Sequence, residues 1–249
     1  MSTVRSAVAL LTRFPVATAD THAPGVAAFG LVGALVGVAG AIPLAALSGP
    51  GQEPWLGAVA ALAVMAVVTG ALHLDGLADT ADALVARDPE AAERARKDPT
   101  LGVGGVLAVI LVLGAQVAAL VSVVTGAGPA TAALVLIGVA TTSRVVPAIA
   151  AVIAIRRRRD DDPTLGSWFT ERLTARDVGV AVGSSVALDV LLTTAGGSVI
   201  GIASIAGGVL GLGTAAAIIT LRRGLDGDGM GAIVELSVVA GLATAAVLP

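Results

Sequence analysis

The sequence predicts an all-α, polytopic transmembrane helical bundle of about seven spans, and three observations predict it. Mean hydropathy is +0.94. Charged residues make up only 13% of the 249, against about a quarter in soluble domains. Uncharged runs such as residues 25–47 exceed the roughly 18 apolar residues that indicate a membrane-spanning helix. A lipid bilayer is therefore the first expected partner. Cysteine is absent, which excludes a disulfide framework and thiolate metal sites. With no Tyr and 2% aromatic residues there is no stacking platform for bases, so nucleic acid is not an expected partner.

Taken in order, the first element is VRSAVALLTRFPVA, whose apolar face between Arg5 and Arg13 reads as an interfacial helix near 3–15 rather than a signal peptide. Seven spans follow at about 25–47, 55–72, 102–125, 130–154, 178–194, 197–221 and 231–248, the fifth short and the sixth glycine-rich. Most of the 32 glycines fall within the apolar runs, where small residues let helices approach closely in lipid. Of 15 Lys and Arg, all but Arg144 lie in the N-terminal segment or in the connectors 73–101, 155–177 and 222–230, whereas 48–54, 126–129 and 194–197 carry none. The positive-inside rule then puts the N-terminus and the basic connectors in the cytoplasm. One multi-pass domain, 1–249, in a cell membrane of the bacterial inner type is the expected organisation, with oligomerisation left open. The run RRRRDDD at 156–162 serves as a topology anchor.

The acids share the cytoplasmic side. In HLDGLADTAD, Asp75, Asp79 and Asp82 follow i, i+4, i+7 spacing, one stripe of a helix. Three carboxylates on a stripe repel unless a cation relieves them. Oxygen-only ligands suit Mg²⁺ or Mn²⁺, and Mg²⁺ completes its shell with water and substrate phosphate. The plainer alternative is a solvated acidic cap. A second cluster, GLDGDGMGAIVE, sets Asp226 and Asp228 among glycines 224, 227, 229 and 231. Gly227 and its neighbours allow a tight turn and a close approach to a ligand; alone, the pattern also describes a flexible hairpin.

KDPTLGVGG turns at Pro99, bringing Asp98 to the membrane surface and leaving amides of Gly102 and its neighbours to face a phosphate. Lys97 either neutralises phosphate charge or anchors at the interface. Arg144, a cation within a span, marks the bundle interior and needs an acid, for which Glu235 and the aspartate stripe are candidates. His73 points away from the stripe on an ideal helix, which favours an orienting or substrate-contacting place over metal ligation. Asp189 has no evident role.

HLDGLADTADAL, KDPTLGVGG, Ser143–Arg144 and GDGMGAIVE, in this order and preceded by LLTRFPV, resemble the cobalamin synthase family, the adenosylcobinamide-GDP ribazoletransferases. The chain departs from that family's pattern at Lys97 and Thr100, where arginine is common, and at Ala83, where glycine is. The resemblance implies a transferase of cobalamin biosynthesis. A hydroxyl of α-ribazole or its 5′-phosphate attacks the phosphate on the cobinamide arm of adenosylcobinamide-GDP and expels GMP. It also implies Mg²⁺ held by Asp75, Asp79 and Asp228 with Asp98 assisting, Asp82 as general base, and Lys97 and Arg144 stabilising developing charge. Two other readings are a CDP-alcohol phosphotransferase, whose signature differs at Asp79 and Thr80, and a cation-coupled transporter using Arg144 and Asp189. Acids gathered in connectors rather than at mid-membrane speak against the transporter.

Overall fold

The computed structural model describes residues 2–16, 24–86, 100–155, 169, 171–222 and 224–248. Lys97, Asp98 and the 156–162 run lie outside the described residues. Every regular element among the described residues is helical, as apolar segments in lipid must be if their backbone groups are to be satisfied internally. The helices are α1 (Ser2–Leu11), α2 (Phe29–Ala46), α3 (Pro54–Thr69) and α4 (Leu72–Val85). A helical stretch Val103–Ile155 follows, then α7 (Ala175–Gly196), α8 (Ser198–Arg222) and α9 (Gly227–Val247).

The long stretch is two helices, α5 (103–127) and α6 (129–155), because Gly128 between them is non-helical, at φ 87° and ψ 162°, and Pro129 follows. Gln116 and Arg144, on either side of that break, line one small cavity, and Val112 packs with Val146 and Ala150. The chain therefore doubles back at Gly128. By length and hydropathy five continuous stretches are able to cross a membrane, or six if α3 and α4 form one bent span. Dividing the longest at Gly128 brings the number close to the seven expected.

Beyond α3 the chain turns sharply. Residues 72–85, the first part of the connector read as 73–101, form a helix bent by 91° from α3, with His73, Gly76, Leu77, Ala78 and Thr80 buried. Two successive left-handed residues, Gly70 at φ 64° and Ala71 at φ 58°, make the corner. Left-handed backbone costs a non-glycine residue about 1–2 kcal/mol, so Ala71 needs support from its surroundings. Support comes from the N-terminal segment: the Arg13 amide donates to Val68 O at 2.8 Å, and the Arg13 side chain lies so tightly on Gly70 that a Cβ there would collide with its Nε, Cγ and Cδ. The helix expected at the interface is thus docked into the bundle. Ser6, Ala7 and Leu11 of α1 are buried, and Gly25, at φ 74°, lies against Thr3 O and Ala7 N.

Gly70→Val would place a branched side chain at positive φ and displace Arg13. We expect a loss of about 2 kcal/mol or more, read as a lower melting temperature in detergent, with Arg13→Ala lowering it in the same direction.

Candidate functional site

The two acidic motifs meet at a glycine crossing. A Cβ on Gly76 would come within 2.8 Å of Asp228 O and 2.9 Å of its Cα, and one on Gly231 within 2.9 Å of His73 O and 3.1 Å of Gly76 Cα. Only residues without side chains permit this backbone contact between α4 and α9. Gly76 of HLDG and Gly231 of GDGMG are accordingly packing residues that set the two acidic segments against each other.

The other flank of α4 meets the start of α5. Asp82 accepts hydrogen bonds from the Gly102 and Gly105 amides, both at 2.8 Å. Gly105 packs against Ala78, where a Cβ would meet Ala78 O at 2.9 Å. At about 100° per residue, Asp75, Asp79 and Asp82 span an arc of roughly 60° on α4, between the face on α9 and the face on α5. The stripe therefore looks into a notch between two helix N-termini. Asp226 caps one of them, accepting from the Gly229 amide at 2.9 Å, and Asp228 lies in its first turn. Asp75 is exposed, while Asp79, Asp82 and Asp228 are half-buried.

Asp82 is placed differently from the general base expected of it, since both its oxygens are engaged by amides of α5. The amides of Gly102 and Gly105, two of those expected to face phosphate, are the ones it holds. Among the described residues, no three His, Asp or Glu side chains converge to hold a metal ion. The donors at the crossing are nevertheless all carboxylate oxygens from α4 and α9. This set fits Mg²⁺ bound through one or two protein carboxylates, with water and phosphate completing its shell.

Behind the crossing stands Arg144 of α6, 3% exposed. Its Nη1 donates to Ser143 Oγ at 3.0 Å and to Ala140 O at 3.4 Å, while Nε has no partner. Glu235, the partner expected for it, lines the same small cavity and accepts from Gln116 Nε2 at 2.9 Å. Gln116, 2% exposed, was not among the residues expected at the site. Its signal in the sequence is that of an amide alone in an apolar span, the kind of side chain that hydrogen-bonds across helices. His73 is buried with Nδ1 unpartnered.

His73 and Arg144 both line an apolar pocket enclosing about 580 Å³, its open mouth included, with Leu11, Phe29, Phe169 and Met230 among its walls. Phe29 and Phe169 stack there at 5.9 Å between ring centroids. Asp189, away from this region, accepts from Thr142 Oγ1 at 2.7 Å and Ser204 Oγ at 3.1 Å, tying α6, α7 and α8 together as polar glue.

Fold and notch together define a multi-pass membrane protein with a carboxylate-rich site between helix ends. The model of the cobalamin-5-phosphate synthase family matches residues 3–246, and the chain belongs to that family. Relatives named adenosylcobinamide-GDP ribazoletransferase include one from Syntrophobacter fumaroxidans, 36% identical over 88% of this chain and 84% of the relative. Another, from Citrobacter koseri, is 30% identical over 92% and 93%. A third, from Allorhizobium ampelinum, is 43% identical, but the match spans only 47% of this chain and 45% of the relative, so the chain covers about half the length of that protein. No solved structure matches the chain.

Replacing Asp82 by Ala would leave two amides at the start of α5 without their carboxylate, at a cost of about 1–3 kcal/mol. The melting temperature should fall whether or not Mg²⁺ is present.

Proposed function

We propose that the chain joins α-ribazole, or its 5′-phosphate, to adenosylcobinamide-GDP and releases GMP. The observation that carries this reading is the convergence of the α4 aspartate stripe with the glycine-rich starts of α5 and α9, supported by family membership. A hydroxyl oxygen of the ribazole forms a new bond to the phosphorus attached to the cobinamide arm. The bond from that phosphorus to the oxygen of GMP breaks, the leaving group takes the electron pair, and the hydroxyl proton passes to a carboxylate.

Of Asp75, Asp79 and Asp228, one or two at a time would hold Mg²⁺, with water and phosphate completing its shell. Bound there, the ion supplies charge neutralisation for the pyrophosphate and its leaving group. The remaining work belongs to the chain. Asp82 fixes the α5 turn against α4 by taking up the amides of Gly102 and Gly105, which sets the start of α5 beside the aspartate stripe. With Asp82 so engaged, we assign receipt of the proton to whichever carboxylate of the stripe is not occupied by metal; exposed Asp75 is the first candidate. Arg144, held from behind by the Gln116–Glu235 side of the bundle, supplies a fixed positive charge beside the site. Lys97 and Asp98 complete the proposed set from the connector preceding α5, Lys97 as a second cation and Asp98 assisting at the phosphates. The clustering of cations in alternate connectors supports a cytoplasmic N-terminus and site.

Full-length protein in detergent or liposomes, given adenosylcobinamide-GDP and α-ribazole, should release GMP in the presence of Mg²⁺ and stop on chelation. Asp79→Asn should lower kcat by about 100-fold or more, and turnover that survives both treatments would remove the metal reading. CDP-alcohol substrates serve as the control that distinguishes a lipid phosphotransferase.

Orientation is directly testable because the chain has no cysteine. A membrane-impermeant maleimide should label Gln52→Cys in intact spheroplasts, and Glu171→Cys only after permeabilisation. The reverse pattern would invert the topology.

A further inference from the structure

We propose that the apolar pocket beside the crossing binds the flat aromatic base of the acceptor nucleoside, whose unsubstituted ring nitrogen accepts a hydrogen bond from Arg144 Nε. This rests on the transferase reading above and assigns one of its two substrates to a place. Four observations converge on it.

First, two side chains that line the pocket, Arg144 and His73, each carry a nitrogen the fold leaves unsatisfied, Arg144 Nε and His73 Nδ1, and the two side chains are 3% and 5% exposed. Buried polar groups without partners are rare in folded proteins and unfavourable. Arg Nε is a donor only, so a ligand entering here needs an acceptor atom at its inner edge. Second, the surrounding walls are apolar and aromatic: two of the chain's three phenylalanines, Phe29 and Phe169, stack at this pocket. A flat ring system suits such a wall.

Third, the alternatives fit worse. A guanine base carries several donors and acceptors around its rim, which these walls would strand without partners. A lipid acyl chain would satisfy the walls and leave Arg144 Nε bare. A benzimidazole-type base, apolar except for one bare ring nitrogen, matches both. Fourth, the position is right for the chemistry. Gly227, Met230 and Gly231 of α9 line the pocket, and Asp228, in the same helical turn, backs onto Gly76 of α4. A base seated here places its ribose at the edge of the carboxylate notch.

The test is steady-state kinetics on the full chain, varying each substrate in turn. Met230→Trp fills the pocket from α9 without altering a charge. The KM for α-ribazole should rise about tenfold or more, while the KM for adenosylcobinamide-GDP stays within about twofold. Free benzimidazole should inhibit the wild type competitively against α-ribazole and lose that inhibition in the variant. If Met230→Trp fails to fold by its melting curve, Leu72→Phe gives the same reading from α4.

The proposal is overturned if the filled pocket raises the KM for adenosylcobinamide-GDP instead, or changes neither constant in a folded protein. It is also overturned if native mass spectrometry finds a lipid in the wild type that Met230→Trp expels. Failure of the transferase reading looks different: the folded, Mg²⁺-supplied wild type makes no product from either form of the acceptor. Calorimetric titration of benzimidazole into wild type and Met230→Trp then decides the pocket by itself, with binding to the wild type alone supporting it and no binding overturning it.

Discussion

The backbone contact of α4 with α9 at Gly76 and Gly231 is the constraint on which the rest depends. Helix packing in lipid draws little on hydrophobic transfer, because the surrounding solvent is as apolar as the side chains, so close approach and polar contacts must supply specificity. Here close approach is extreme, since a Cβ on either glycine would fall within about 3 Å of the facing backbone. The fold tolerates acidic residues at this point because Asp75 and Asp79 flank the contact instead of entering it. Carboxylates are thus crowded along the rim of a tightly packed crossing.

Supports radiate from that contact. Asp82 holds the start of α5, Asp226 caps α9, and Arg13 secures the left-handed corner from which α4 departs. Each fixes one end of a helix. Rigid scaffolding around a charged notch is what phosphate chemistry requires, because positioning and preorganised charge do most of the catalytic work. Arg144 adds a further layer. It lines both the small cavity with Gln116 and Glu235 and the apolar pocket with His73.

Much of this was legible in the residues, for physical reasons. Hydropathy over twenty-residue windows is a strong signal, and it located α2, α5, α6, α8 and α9 with ends close to those observed. The i, i+4, i+7 spacing of the aspartates was equally readable, because helical period alone puts them on one stripe. The right-angle corner was not legible: Gly70 looks like any glycine at the end of a helix, and Ala71 is a residue whose propensity argues against a left-handed conformation. Nor was the part played by Asp82, since a carboxylate bonded to amides 20 and 23 residues away leaves no local pattern. The glycines of GDGMG were read as freedom for a turn and for approach to a ligand, whereas Gly231, with Gly76 opposite it, serves closeness between helices. Sequence shows that a side chain is missing, but not what occupies the space.

The crossing also fixes when the protein becomes competent. Gly76 and Asp79 are synthesised well before Asp228 and Gly231, which come with α9, after α5 to α8. Until then α4 presents its acidic stripe and the bare backbone of Gly76 with no partner, and the notch is half made. Assembly of the crossing therefore waits on α9, the helix that carries both Asp228 and Gly231.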